Sequence, residues 1–229
     1  MKAVILAGGE GRRLRPYTTI LPKPLMPLGQ KPILEYVIER LVRAGIRDIA
    51  VSVGYLSGLI EAYFGSGEKW NAQLEYLQEA TPLGTVGPLH LVRGVEDAFL
   101  VINGDILTNV DFQAFASFHQ REQHALSIAT VRKEVKIDLG VLELNSRGIV
   151  TDYREKPVLH HDVSMGVYCC SPRVLSYIPQ GQRCDLPDLV KTILRAGEPV
   201  GAYRHEGYWL DIGRPEDYER ALDELERYA

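Results

Sequence analysis

Cysteine is scarce. The chain has three, Cys169, Cys170 and Cys184, an odd number with no Cys-x-x-Cys spacing. That argues against a disulfide framework and against a structural zinc site. Cys169 and Cys170 are adjacent, so they are expected on opposite faces of one strand as buried thiols. No apolar run is long enough to cross a membrane, and Met1-Lys2 leads straight into a strand-length apolar segment rather than a signal peptide. The expectation is therefore a cytoplasmic protein with no membrane partner. The six histidines show no His-Glu-x-x-His spacing, and His160-His161 reads as a solvated loop pair. Two familiar phosphate motifs are also missing. A Gly-x-Gly-x-x-Gly pattern starting at Gly9 fails because Leu14 stands where the third glycine belongs, and no Gly-Lys-Ser/Thr occurs for a Walker A loop. No Asp-x-Asp follows a strand, and Asp185-Leu186-Pro187-Asp188 has the wrong spacing for the metal motif usual in glycosyltransferases.

Acids are absent from one stretch. Between Gly11 and Leu34 there are five cations, Arg12, Arg13, Arg15, Lys23 and Lys31, and no carboxylate, in a chain of net charge −4. A local cationic segment on an acidic protein points to a small polyanion such as a polyphosphate rather than to nucleic acid. Just before it, the apolar run Ala3–Ala7 breaks at Gly8, Gly9 and Gly11. A buried parallel strand ending in a glycine turn is how an α/β fold opens a ligand site at a strand's C-terminal end. The glycines let the backbone approach a ligand and present its N–H groups.

The rest of the chain alternates. Pro32 opens a helix through about Ala44, ended by Gly45, with Ile33, Leu34, Val37, Ile38, Leu41 and Val42 at helical spacing. Strands are expected at 48–53, 74–77 and 99–102, the last running into Asn103-Gly104-Asp105, with a short helix at 59–64. Helices are expected after Gly87 through Val92, at 112–120, 172–178 and 186–196, and from Pro215. Further strands are expected at 125–131, 163–170, 200–203 and 208–211, and a β-hairpin spans 139–153 around the turn Asn145-Ser146-Arg147-Gly148. With no internal repeat or linker, 1–229 reads as one α/β domain. The expected architecture is a Rossmann-like three-layer α/β/α core with a mixed central sheet and an inserted β-hairpin subdomain.

The N-terminal residues, Leu6 to Pro16 followed by Pro22-Lys23-Pro24, resemble the signature of the sugar-1-phosphate nucleotidylyltransferases, L-A-G-G-x-G-x-R-L-x-P…P-K-P. Pro-Leu-Gly-Thr-Val-Gly at 82–87, Asn103-Gly104-Asp105, Glu155-Lys156-Pro157, Gly166-Val167-Tyr168 and Trp209-Leu210-Asp211-Ile212-Gly213-Arg214-Pro215 follow in family order. The likeness is strongest to the short mannose- and manno-heptose-1-phosphate guanylyltransferases. Its chain end leaves no expected room for the extra β-helix that some members carry.

The resemblance implies a reaction in which a sugar 1-phosphate oxygen attacks the α-phosphorus of an NTP and pyrophosphate leaves. Positioning and positive charge can supply most of such catalysis without a protein nucleophile. It implies Arg13 on the triphosphate, Lys23 near the α-phosphate and Asp105 as the catalytic set, with Arg12 at the variable position as a solvated neighbour. Leu6, Ala7, Gly8, Gly9, Gly11, Glu79, Pro82, Gly84 and Thr85 would bind the nucleotide. Gly140, Glu155, Lys156, Ser164 and Gly166 would bind the sugar phosphate, although many relatives carry Asn-Ala-Gly where this chain has Ser164-Met165-Gly166. Asp105 and Asp211, at the ends of separate strands, would hold Mg²⁺, which favours a few carboxylates plus phosphate oxygens.

Glu79 bears on the base. Thymidylyl- and uridylyl-transferring relatives typically have Gln here, which can donate to and accept from a pyrimidine edge. A carboxylate only accepts, and guanine offers the adjacent donors N1–H and N2–H. The expected substrates are GTP and mannose or manno-heptose 1-phosphate. Uridylyl or thymidylyl transfer to another hexose 1-phosphate, a cytidylyltransferase acting on a non-sugar phosphate, and an inactive regulatory subunit are the alternatives. Oligomeric state stays open, a homodimer included.

Overall fold

The computed structural model describes residues 1–79 and 81–225. In chain order the strands are β1 (Lys2–Leu6), β2 (Pro27–Leu28), β3 (Lys31–Pro32), β4 (Asp48–Val53), β5 (Gln73–Gln78), β6 (Phe99–Asn103), β7 (Ile106–Thr108), β8 (Leu126–Lys136), β9 (Val141–Leu144), β10 (Val150–Arg154), β11 (Val158–Cys170), β12 (Val200–Arg204) and β13 (Trp209–Asp211). The helices are α1 (Ile33–Arg43), α2 (Ser57–Phe64), α3 (Phe112–Arg121), α4 (Leu186–Arg195) and α5 (Pro215–Asp223).

Seven strands form the central sheet in the order β12-β8-β11-β6-β1-β4-β5. It is mixed: β6-β1-β4-β5 pair in parallel, as do β12 and β8, while β11 runs antiparallel to both β6 and β8. Both faces are covered, which is why β1 reads as continuous apolar sequence. Ala3, Ile5 and Ala7 face a core shared with Leu34, Ile38 and Leu41 of α1, Ile60 of α2 and Phe115 of α3. Val4 faces the opposite core, with Leu89, Val174 and Leu189 and Ile193 of α4. Cys169 joins the first core and Cys170 the second, opposite faces of β11 as the adjacency required. Burial pushes the Cys169 thiol up to about 12, so it stays protonated. A third cluster, Leu14, Met26, Leu28, Ile33, Leu107, Leu210, Ile212 and Ala221, lies under the signature residues. It binds them to β7, β13 and α5.

Several expectations change. The segments after Gly87 and Pro172 are 3-10 turns, Gly87–Leu91 and Pro172–Tyr177, with Pro88 and Pro172 removing backbone donors at their starts. β8 runs to Lys136 and β11 begins at Val158, well beyond 131 and 163. The added lengths project past the core, so Arg132, Lys133, Glu134 and Lys136 carry no apolar period; ladder pairing with β11 holds them. His160 and His161 lie on β11, opposite Glu134 and Lys133, rather than in a loop.

Candidate active site

The glycine turn after β1 opens into a cavity of about 770 Å³, within the usual size of a small-molecule site. Leu6, Ala7, Gly8, Gly9, Gly11, Arg13, Lys23, Glu79, Pro82, Gly84, Thr85 and Asp105 all line it. Gly140, Glu155, Lys156, Ser164, Gly166 and Asp211 lie outside that lining. At Gly11, φ is +61° and a β-carbon would stand 2.9 Å from Thr18 Cγ2 and 3.1 Å from Lys23 Cβ. Only glycine allows the turn to sit this close to Lys23.

The cations sort themselves. Arg12 is exposed and paired with Glu10 (Nε–Oε2 2.7 Å), and Lys31 pairs with Glu39 at 2.5 Å. Lys23 is only 8% exposed and its ammonium pairs with Asp105 Oδ2. Arg13 makes no direct ion pair among the described residues; its guanidinium lies 3.2 Å from where a β-carbon on Gly213 would stand. It faces the cavity with its hydrogen-bonding capacity available to an anion.

The two acids meet through backbone pairing. β13 runs antiparallel to β7 with Asp211 opposite Ile106, and Ile212 N donates to the Asp105 carbonyl at 3.0 Å. Asp105 Oδ1 is buried and has no hydrogen-bond partner. The Asp211 carboxyl is held above the ordinary Asp range, first by partial desolvation and then by the Asp105 charge, against the pull of Lys23 and Arg13. An unpartnered buried carboxylate oxygen beside a second, crowded carboxylate fits a divalent cation that also takes phosphate oxygens. Groups of three or more His, Cys, Asp or Glu suited to a metal are absent among the described residues.

At the other end, Glu79 Oε2 accepts from Leu83 N at 3.1 Å, while Oε1 is buried without a partner. Ala80 lies outside the described residues. Thr85 lines the cavity, and it is tied to the segment before α4: its N–H donates to Asp185 Oδ1 (2.9 Å) and its hydroxyl accepts from Leu186 N (2.8 Å). Gln78, Arg183, Asp185 and Gly213 line the cavity too. Sequence reasoning missed the first three; only Gly213 belonged to a quoted motif.

The sugar-side candidates fall in two groups. Tyr153 donates from its hydroxyl to Glu155 Oε2 at 2.6 Å and packs over Gly140. Lys156 has φ +45° although Pro157 follows, a conformation that precedes proline at a steric cost. Ser164 Oγ accepts from Gly166 N (3.2 Å) and lies 2.8 Å from the Tyr168 hydroxyl, closing the bulge where β11 shifts register against β8. Gly166 backs onto Asn103, which lines the cavity.

Known proteins resemble this chain in sequence and fold. The nucleotidyl transferase family profile matches residues 2–227. A UTP–glucose-1-phosphate uridylyltransferase from Synechocystis is 34% identical over 97% of this chain, and a mannose-1-phosphate guanyltransferase from Emericella nidulans is 33% identical over 95%. The chain spans 62% of the length of each. Among solved structures, a Bacillus anthracis protein assigned as a glucose-1-phosphate thymidylyltransferase, in complex with a sucrose, aligns with TM-score 0.78 at 25% identity, covering 97% of this chain and 94% of that one. HddC from Yersinia pseudotuberculosis, complexed with GMP-PN, aligns with TM-score 0.75 at 25% identity, covering 98% and 99%. The chain belongs to the nucleotidyl transferase family.

Proposed function

We propose that this protein transfers a nucleotidyl group from an NTP to a sugar 1-phosphate, releasing pyrophosphate, in the cytoplasm. The observation that carries this reading is the convergence of Arg13, Lys23 and Asp105 on one cavity floored by the glycine turn. Arg13 and the turn's N–H groups would hold the triphosphate and its leaving pyrophosphate. Lys23, held in place by Asp105, would sit at the α-phosphate as charge develops on its oxygens. Glu155 and Lys156 would take the sugar hydroxyls and the sugar phosphate. Mg²⁺, when bound by Asp105 and Asp211, would neutralise phosphate charge. The chain's own residues would position the two anions for attack at the α-phosphorus.

We infer GTP as the donor and mannose or manno-heptose 1-phosphate as the acceptor. Glu79 supports the base: its unpartnered Oε1 accepts but cannot donate, which suits guanine N1–H and N2–H and opposes a pyrimidine carbonyl. In this structure Oε2 holds Leu83 N and Oε1 packs against Gly87, so the carboxylate would turn out of that contact to meet the base. The acceptor rests on likeness to the guanyltransferases. A pyrimidine reading has one specific support: the Gln78 amide lines the same cavity and makes only a 3.4 Å contact with Ser57 Oγ. Competition of equimolar GTP, UTP and dTTP for mannose 1-phosphate, with the products weighed by mass spectrometry, tests the assignment. GDP-sugar should dominate; a dominant UDP- or dTDP-sugar overturns it. The Glu79→Gln variant should lose about 10- to 100-fold in kcat/KM with GTP, the scale of one charged hydrogen bond.

A further inference from the structure

The loop beside Glu79 is fastened from a distant part of the chain. Asp185 is the residue immediately before α4, where a carboxylate ordinarily accepts from its own helix's first N–H groups. Here it makes no such bond. Its Oδ1 instead accepts from Thr85 N at 2.9 Å, and the Thr85 hydroxyl accepts from Leu186 N, the first N–H of α4, at 2.8 Å. Loop and helix thus cap each other across the fold. Two backbone bonds run alongside, Cys184 N to Leu83 O (2.8 Å) and Val86 N to Cys184 O (3.2 Å). The fit is close: Gly84 has φ +90°, and a β-carbon there would stand 2.5 Å from the Cys184 carbonyl oxygen. Arg183 braces the far oxygen of Asp185, with Nη2 at 3.2 Å from Oδ2. Thr85's N–H also holds the Asp185 carboxyl below the usual range, so the acceptor is ionised at neutral pH.

The clamp ends at the Glu79 carboxylate. Leu83, whose carbonyl accepts from Cys184, donates its own N–H to Glu79 Oε2. Displacing the loop therefore moves the group offered to the base. We propose that Asp185 and Thr85 are positioning residues for nucleotide recognition, acting through the 82–86 loop on Glu79. This rests on the reading of the cavity as an NTP site. The clamp touches neither the Arg13–Lys23–Asp105 end nor the sugar-side residues, so its loss should show in nucleotide affinity and base preference before turnover.

The test uses the full chain, with calorimetric titration of GTP and UTP and steady-state kinetics. Asp185→Ala should weaken GTP binding about 10-fold, the scale of a lost charged hydrogen bond, and bring the GTP and UTP affinities closer together. Its kcat at saturation should fall less than about threefold and its KM for the sugar phosphate should hold, the split expected when ground-state binding alone is lost. Asp185→Asn keeps the acceptor oxygen and should recover most of the affinity. Thr85→Val against Thr85→Ser repeats the comparison from the other side, should Asp185→Ala fail to fold. A folded Asp185→Ala that binds GTP like wild type overturns the proposal, as does an Asn variant no better than Ala. Parallel loss of kcat and of both KM values also overturns it. If wild type binds no NTP, the function proposed for the cavity falls with it, whereas wild-type binding with an indifferent Asp185→Ala removes the clamp alone.

Discussion

Asp105 and Asp211 are brought side by side by the pairing of β7 with β13, which the bond from Ile212 N to Asp105 O at 3.0 Å extends, between segments far apart in sequence. Asp105→Asn and Asp211→Asn should each lower kcat by at least ~100-fold, the scale of losing a principal electrostatic stabiliser. Activity should also vanish in EDTA. Because desolvation, and after it the Asp105 charge, raises the Asp211 pKa, its ionised form costs stability above that pKa, and the cost fades as pH falls. Asp211→Asn should therefore melt higher than wild type in metal-free buffer at pH 7. A lower melting temperature, or full activity in EDTA, contradicts this account of the pair.

Arg13 and Lys23 should separate in their effects on folding. Arg13 is exposed, so Arg13→Ala should lose turnover while its Tm stays close to wild type. Lys23 is buried and paired, and Lys23→Ala strands the Asp105 carboxylate, costing about 1–3 kcal/mol of stability besides activity. Urea denaturation alongside turnover distinguishes them. A collapsed Arg13→Ala with normal turnover per folded molecule would make Arg13 structural.

Lys156 carries a left-handed backbone before Pro157. Lys156→Ala should mainly raise KM for the sugar phosphate. Lys156→Gly should do the same while raising Tm, since glycine accepts that backbone without strain. An unchanged KM in both would remove Lys156 from the sugar-phosphate site.

Much of this was legible in the sequence because it is local. The run Ala3–Ala7, the glycines after it, and Arg13 and Lys23 sit within a short segment whose periodicity and charge speak directly. α1 was equally plain, since Ile33, Leu34, Val37, Ile38 and Leu41 are all buried on one face. β7 was not, because three residues show no period; its role is fixed by β13. The outer lengths of β8 and β11 hid because exposed, paired strands need no apolar alternation. Asp185 reads in the sequence only as part of a misspaced acidic motif, and nothing local reveals that its partner is Thr85. Thr85 in turn reads as a substrate contact, and the sequence gives no sign that its N–H and its hydroxyl oxygen also hold Asp185 and Leu186.

His119 should set the acid side of stability. It is buried between Ser127 Oγ (2.9 Å) and Ser171 Oγ (3.1 Å), and burial lowers its pKa to about 4. The unfolded chain takes up a proton below about 6.5 that the folded one refuses down to about 4. Stability is thus intact above that window and falls with pH through it, by about 2 kcal/mol at pH 5. Urea midpoints of wild type and His119→Gln between pH 7 and 5 check this. The variant should lose most of the slope, and an equal slope in both would place the titration elsewhere.

Pyrophosphate release across a matrix of NTPs and sugar 1-phosphates, with Mg²⁺ present, tests the central claim most directly. Release should require both substrates together and be fastest with GTP and mannose or manno-heptose 1-phosphate. No release from any pair would contradict nucleotidyl transfer to a sugar phosphate as the activity of this chain.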